Sequence, residues 1–181
     1  MKNRTKRKGF TLIELILVMI IIAILAYALI GNYMSALKKG RDARRKNDLS
    51  QISKALEMYY GDNNQYPVLP SSQLFGQKFA IPVGCNATLC DKVYMTRTGS
   101  DPVSQYTYVY EYENSTTPQY YYLYSFIEDA EDQGSNVSTG GFANYSAGSK
   151  ADCGVDNPAP CRFYLPSANA PPLTPNPTPA P

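Results

Sequence analysis

One carboxylate invites a chemical question before any fold is considered. Glu14 lies inside FTLIELILVMIIIAILAYALI, Phe10 to Ile30, a run of 21 residues that is apolar or aromatic apart from Thr11 and Glu14. A carboxylate in apolar surroundings of this length costs a few kcal/mol unless it is neutralised or paired. Five cations crowd ahead of it: Lys2, Arg4, Lys6, Arg7 and Lys8 precede Gly9. The other reactive side chains are four cysteines in two local pairs, Cys85 with Cys90 and Cys153 with Cys161. Neither spacing is that of a redox motif or a zinc knuckle. Behind an export or membrane signal, two disulfides are the simpler reading, with buried free thiols as the alternative. Four cysteines allow three pairings, and the local one is the expectation. The chain has no histidine, so the commonest general base and the commonest metal ligand are both missing. No catalytic triad or metal cluster can be assembled from what remains, which points away from an enzyme.

These residues have to be carried by something. At 1.5 Å rise per residue the apolar run is about 31 Å of helix, close to the hydrocarbon thickness of a bilayer. The basic flank sets the cytoplasmic side and leaves the C-terminal portion outside. The formal charge of +2 belongs to that flank, because twelve basic and fifteen acidic residues remain after Gly9. The basic balance is therefore no argument for nucleic-acid binding.

The helical pattern continues past the apolar run. Leu49, Ile52, Leu56, Tyr59 and Tyr60 form an amphipathic stripe. Gly61, Asp62, Asn63 and Asn64 supply a stop, and Pro67 closes it. Between stripe and apolar run lies KKGRDARRKND, residues 38–48, with six cations: Lys38, Lys39, Arg41, Arg44, Arg45 and Lys46. The plain reading is a solvated helix face. The functional reading is contact with acidic lipid head groups, with acidic patches on neighbouring subunits, or with DNA.

Residues 66–100 read as an irregular connection, with a short strand over Lys92–Arg97. The strongest β signal follows. QYTYVYEY (Gln105 to Tyr112) and QYYYLYSFI (Gln119 to Ile127) alternate around the polar turn ENSTTP, an antiparallel hairpin. One apolar face of it needs the stripe from Leu49 to Tyr60 as partner. The tyrosine row reads as packing in preference to a stacking surface for bases or sugars. CRFYL, Cys161 to Leu165, is a candidate last strand. The fold class is α+β, a long N-terminal helix packed on a small antiparallel sheet.

Lys8-Gly9-Phe10-Thr11-Leu12-Ile13-Glu14-Leu15, behind a basic leader and ahead of a long apolar run, resembles the prepilin signal of the type IV pilin and major pseudopilin family. The resemblance implies cleavage between Gly9 and Phe10 by a membrane-embedded prepilin peptidase, and N-methylation of Phe10. It gives Thr11 and Glu14 to assembly, with Glu14 meeting the new α-amine of a neighbouring subunit. The implied layout is a cleaved leader over 1–9, a transmembrane and polymerisation helix over 10–31 and an amphipathic half over 32–60. A sheet domain over 61–165 with two disulfides and a proline-rich tail over 166–181 complete it.

The implied partners are further copies of the chain in a helical filament, the peptidase, an inner-membrane platform, an assembly ATPase, and the membrane before assembly. The chain would sit in the cytoplasmic membrane as a single pass and then in an extracellular pilus or a periplasmic pseudopilus. The family also implies calcium in the loop after the sheet, where Asp129 and Asp132 are the nearby oxygen donors, although six ligands cannot be assembled. The chain departs from many members in having Gly31 where they carry a mid-helix proline. The alternative of another class is a non-polymerising, membrane-anchored protein that binds DNA or another ligand through residues 38–46.

Overall fold

A single long helix dominates the chain because nothing from Leu12 to Asn63 breaks it: the stretch has no proline, and its glycines are isolated. The computed structural model describes residues 9–81, 91–138, 140–142 and 151–173, leaving aside the side chains at 28–32 and 81. The chain forms two compact units, Met1–Lys38 and Lys39–Pro181. Helix α1 (Leu12–Asn63) runs through Gly31 and Gly40. Its end differs slightly from the expected one. Gly61 stays helical, and Asn64 supplies the left-handed residue, with φ 54°. The Asn64 N–H donates to the Tyr60 carbonyl at 2.7 Å. Asparagine tolerates this conformation better than most residues, so it closes the helix without a glycine.

In the first unit the helix is apolar on all sides. Ile16, Val18, Ile20 and Leu25 are each about half exposed, at 49%, 48%, 54% and 60%. Among the described residues no helix is long and apolar enough to cross a membrane. The expected span runs into residues 28–32, whose side chains are not described.

The second unit is built around the stripe expected from sequence. Leu49, Ile52 and Leu56 are fully buried, and Tyr59 and Tyr60 pack at its margin. Helix α2 (Ser71–Leu74) and the pair β1 (Phe79–Ile81) and β2 (Lys92–Met95) follow. The segment expected as an irregular connection with one short strand therefore holds a short helix and both strands of a two-stranded sheet. The main sheet is β3 (Val109–Tyr112), β4 (Tyr121–Ser125) and β5 (Phe163–Pro166), in the order β3-β4-β5 and antiparallel throughout. In the hairpin Val109 faces Tyr124 and Tyr112 faces Tyr121. Strand β4 is central and buried along its length.

Both faces of that sheet are covered. Tyr108, Tyr110, Tyr121, Leu123 and Ile127 join the helix stripe in one core. Tyr122, Tyr124 and Tyr164 form a second core with Phe142, Ala151 and the half-cystines Cys153 and Cys161. Tyrosine suits this arrangement, since its ring fills the core while its hydroxyl finds a polar partner. The Tyr121 hydroxyl lies 2.8 Å from Ser53 Oγ, and Tyr108 donates to Asp48 at 3.0 Å, tying sheet to helix. Edge strand β3 is blunted by Ser71, whose Oγ accepts from the Tyr110 N–H at 2.8 Å and donates to its carbonyl at 3.2 Å.

Cys153 and Cys161 are joined by a disulfide with both residues fully buried. Gly141, with φ +78°, lies against the lid they close, and a Cβ there would stand 2.7 Å from Pro160 Cβ. Cys85 and Cys90 lie outside the described residues. A cross-link over so short a loop contributes about 2–4 kcal/mol. Replacing Cys153 and Cys161 together with serine is expected to lower unfolding stability by that amount, read from urea denaturation under non-reducing conditions. An unchanged midpoint would remove the disulfide from the support of the second core.

Candidate functional site

The N-terminal site is assembled from one helix end. Thr11 precedes the first helical residue, and its Oγ1 accepts a hydrogen bond from the Glu14 N–H at 3.3 Å. A threonine with a glutamate three residues later is the sequence of a capping box, which satisfies amides a helix start leaves open. A Cβ added at Gly9 would meet nothing within 4 Å among the described residues, and Phe10 is 85% exposed. The Gly9–Phe10 bond thus lies just ahead of the capped helix. Phe10, Glu14, Leu15, Val18 and Met19 line one open hollow along a single helix face. Among the described residues no basic side chain forms an ion pair with Glu14. The arrangement presents a carboxylate in the middle of an exposed apolar stripe.

The second charged site is one that sequence reasoning placed in solvent. Residues 41–46 face inward as well as outward. Arg45 is wholly buried, and its guanidinium meets three carboxylates. Nε and Nη2 donate to Asp101 at 2.7 and 2.8 Å, while Nη1 donates to Asp42 at 2.7 Å and to Glu128 at 2.8 Å. Arg41 grips Glu128 from the other side through Nε at 2.8 Å and Nη2 at 2.5 Å. Asp42 accepts the backbone N–H groups of Glu128 and Asp129. Lys46 Nζ reaches Asp132 at 2.5 Å. The helix is thereby fixed to the loop before β3, through Asp101, and to the loop after β4, through Glu128 to Asp132.

The expected solvated face is therefore corrected for Arg41, Asp42, Arg45 and Lys46. Arg44 and Lys39 stay exposed, at 62% each for the side chain. The missed signal is register. Asp42 and Arg45 continue the spacing of Leu49, Ile52 and Leu56, so the buried face extends two further positions towards the N-terminus. Of the six cations in residues 38–46, Arg41, Arg45 and Lys46 are thus held by carboxylates, while Lys38, Lys39 and Arg44 remain on the surface.

Electrostatics follow from this packing. Burial works against the charged form of Arg45, but its hydrogen bonds to Asp101, Glu128 and Asp42 more than offset that, and its pKa is raised. The Arg41 hydrogen bond, helped by Arg45, pulls Glu128 down from 4.5 to about 2. Lys46 lowers Asp132 in the same way. Removing a carboxylate partner from the fully buried Arg45 costs about 3–5 kcal/mol, because the charge is left uncompensated.

Comparison with known proteins places both sites in one context. Residues 4–30 match the prokaryotic N-terminal methylation motif, and residues 32–140 match type II secretion system (T2SS), protein G. The chain is 36% identical over 67 residues to the type II secretion system core protein G of Escherichia coli. That match covers 37% of this chain and 46% of the relative. It is 51% identical over 59 residues to the type IV wide pilus major component PilA4 of Thermus thermophilus, covering 33% of this chain and 45% of the relative. The Pseudomonas aeruginosa core protein G is 39% identical over 65 residues, 36% of this chain and 46% of the relative. The chain thus spans about half the length of the curated relatives it matches. No solved structure is a significant match.

Glu128 has a folded pKa below its unfolded one, so its contribution is present in full above 4.5 and is lost as the pH falls towards about 2. Unfolding stability is expected to fall by up to about 3 kcal/mol from this group across that window. Glu128→Gln should flatten this part of the profile, measured as urea midpoint against pH. Parallel profiles for the two proteins would contradict the pairing.

Proposed function

Because the chain belongs to the type II secretion system protein G family, we propose that it is a structural subunit of a pilus-like filament, acting by assembly and not by catalysis. In this reading it is made as a membrane precursor with a single pass and its C-terminal unit outside. The prepilin peptidase removes residues 1–9 and methylates Phe10. The apolar helix then moves from lipid into a filament core built by copies of itself. A platform in the membrane and a cytoplasmic ATPase drive the transfer.

The observation that carries the reading is Glu14. It sits on an exposed apolar face without a basic partner among the described residues. Cleavage after Gly9 creates an α-amine at Phe10 in the same apolar layer. Pairing the amine of one subunit with Glu14 of the next neutralises both charges, and only in the correct axial register. Thr11 supports the pair by holding the helix start, through its bond to the Glu14 N–H.

A surface pilus is the first form proposed, supported by the 51% identity to a wide-pilus major component. A secretion pseudopilus is the second, supported by the protein G match over residues 32–140. Shearing whole cells separates them, since a pseudopilus sheds little material.

Gly9→Leu is expected to leave a full-length, unassembled precursor in the membrane, seen by immunoblot of fractionated cells. Normal filaments from that variant would refute processing at this bond. Glu14→Leu should be inserted and cleaved as usual while filament yield drops by about tenfold or more, the effect of losing a pairing energy above about 1.4 kcal/mol per subunit. Undiminished yield would remove the pairing role.

A further inference from the structure

The fold family implies a calcium ion in the loop after the main sheet, and this loop offers Glu128, Asp129, Glu131 and Asp132. Calcium takes six to eight oxygens at about 2.3–2.6 Å. Three of these four carboxylates are committed elsewhere. Both Glu128 carboxylate oxygens accept from Arg41, and one also from Arg45. Asp132 Oδ2 faces Lys46 Nζ at 2.5 Å, and Oδ1 accepts the Gly134 N–H at 2.9 Å. Asp129 Oδ1 accepts the Glu131 N–H at 3.1 Å, and its Oδ2 lies 3.9 Å from Lys39 Nζ. Among the described residues no three acidic side chains are grouped to hold a metal ion. The donor set does not fit calcium.

What occupies the position is a set of cations built into the helix. Lys46 Nζ sits on Asp132 and 5.5 Å from the centre of the Phe163 ring in β5, so one ammonium joins helix, loop and sheet. Arg41 and Arg45 tie Glu128 of that loop to the helix. A divalent ion entering this loop would have to displace an ammonium or guanidinium that cannot diffuse away. We infer that Arg41, Arg45 and Lys46 replace the calcium ion of the family as a permanent latch on residues 128–134, so that this subunit folds without calcium. The latch belongs to the folded chain and is independent of which filament the subunit builds.

Full-length protein in detergent micelles tests this by calcium titration calorimetry and by thermal melting in EGTA, calcium chloride or magnesium chloride. Calcium sites of extracellular modules bind at about 0.1–1 mM, so about 5 mM calcium would fill one and raise Tm by several degrees. The expected result is no saturable calcium heat and a Tm that moves by less than about 1 °C. Lys46→Met and Arg41→Met are each expected to lower Tm by about 2–6 °C in every buffer. Should Arg41→Met fail to fold, Lys46→Met decides alone, since its side chain is 32% exposed and its loss leaves Arg41 and Arg45 in place. Saturable calcium binding that magnesium does not reproduce overturns the inference. An unchanged Tm for Lys46→Met also overturns it, because the latch would then carry no load.

Discussion

A guanidinium sealed from water has to be neutralised where it stands, and in this protein that requirement joins three separate pieces of chain. Arg45 is reached by Asp42 from its own helix, Asp101 from ahead of β3, and Glu128 from beyond β4. None of these carboxylates can leave without stranding the charge. The result is that the two ends of the central hairpin are held against one turn of helix. The apolar stripe then packs beyond that clamp, from Leu49 through Leu56, with one end of the interface already fixed. Hydrophobic burial supplies most of the stabilisation, but it is non-directional. The ion set supplies the register.

The sheet completes the unit by being buried on both faces. Its inner face meets the helix, and its outer face meets a lid closed by Cys153 and Cys161. Tyrosine suits both sides because its ring fills space while its hydroxyl can reach a polar group, as in Tyr66 to Glu57 and Tyr110 to the Pro67 carbonyl. Gly99 is required for the same closeness: a Cβ there would stand 2.7 Å from Asp48 Cγ, where the chain passes the helix. The N-terminal unit has the opposite character. Its helix surface is apolar and exposed, which fits a segment whose burial depends on lipid or on other copies.

Much of this was legible in sequence because it rests on periodicity. The stripe of Leu49, Ile52 and Leu56 has the helical repeat, and the alternation through Tyr110 and Leu123 has the strand repeat. Both appear in the fold, as do a short strand near Lys92 and a last strand after Cys161. The inward basic turn was not legible, because charged residues carry no weight in a hydrophobic pattern even when they share its register. Strand β1 is three residues long, and its partner lies beyond residues 82–90, so no local signal marks it. The lid over the outer face is irregular chain, and only its two cysteines give it away. At the N-terminus the reverse holds: Gly9, Phe10, Thr11 and Glu14 are explicit in sequence, while the structure adds the cap that Thr11 provides.

The two halves therefore divide the work. In the proposed function the clamped unit gives the subunit a fixed shape, and the apolar helix with its single carboxylate is what lets it join others. That division depends on the helix being kept and a new amine being made at Phe10. The most direct measurement is the N-terminal sequence and intact mass of the protein recovered from membranes or filaments. The predicted result is a chain that begins at Phe10, carries one methyl group on its amine and has lost residues 1–9. A chain that still begins at Met1, or that has been cut beyond the apolar run near Ala28 or Gly31, would contradict it.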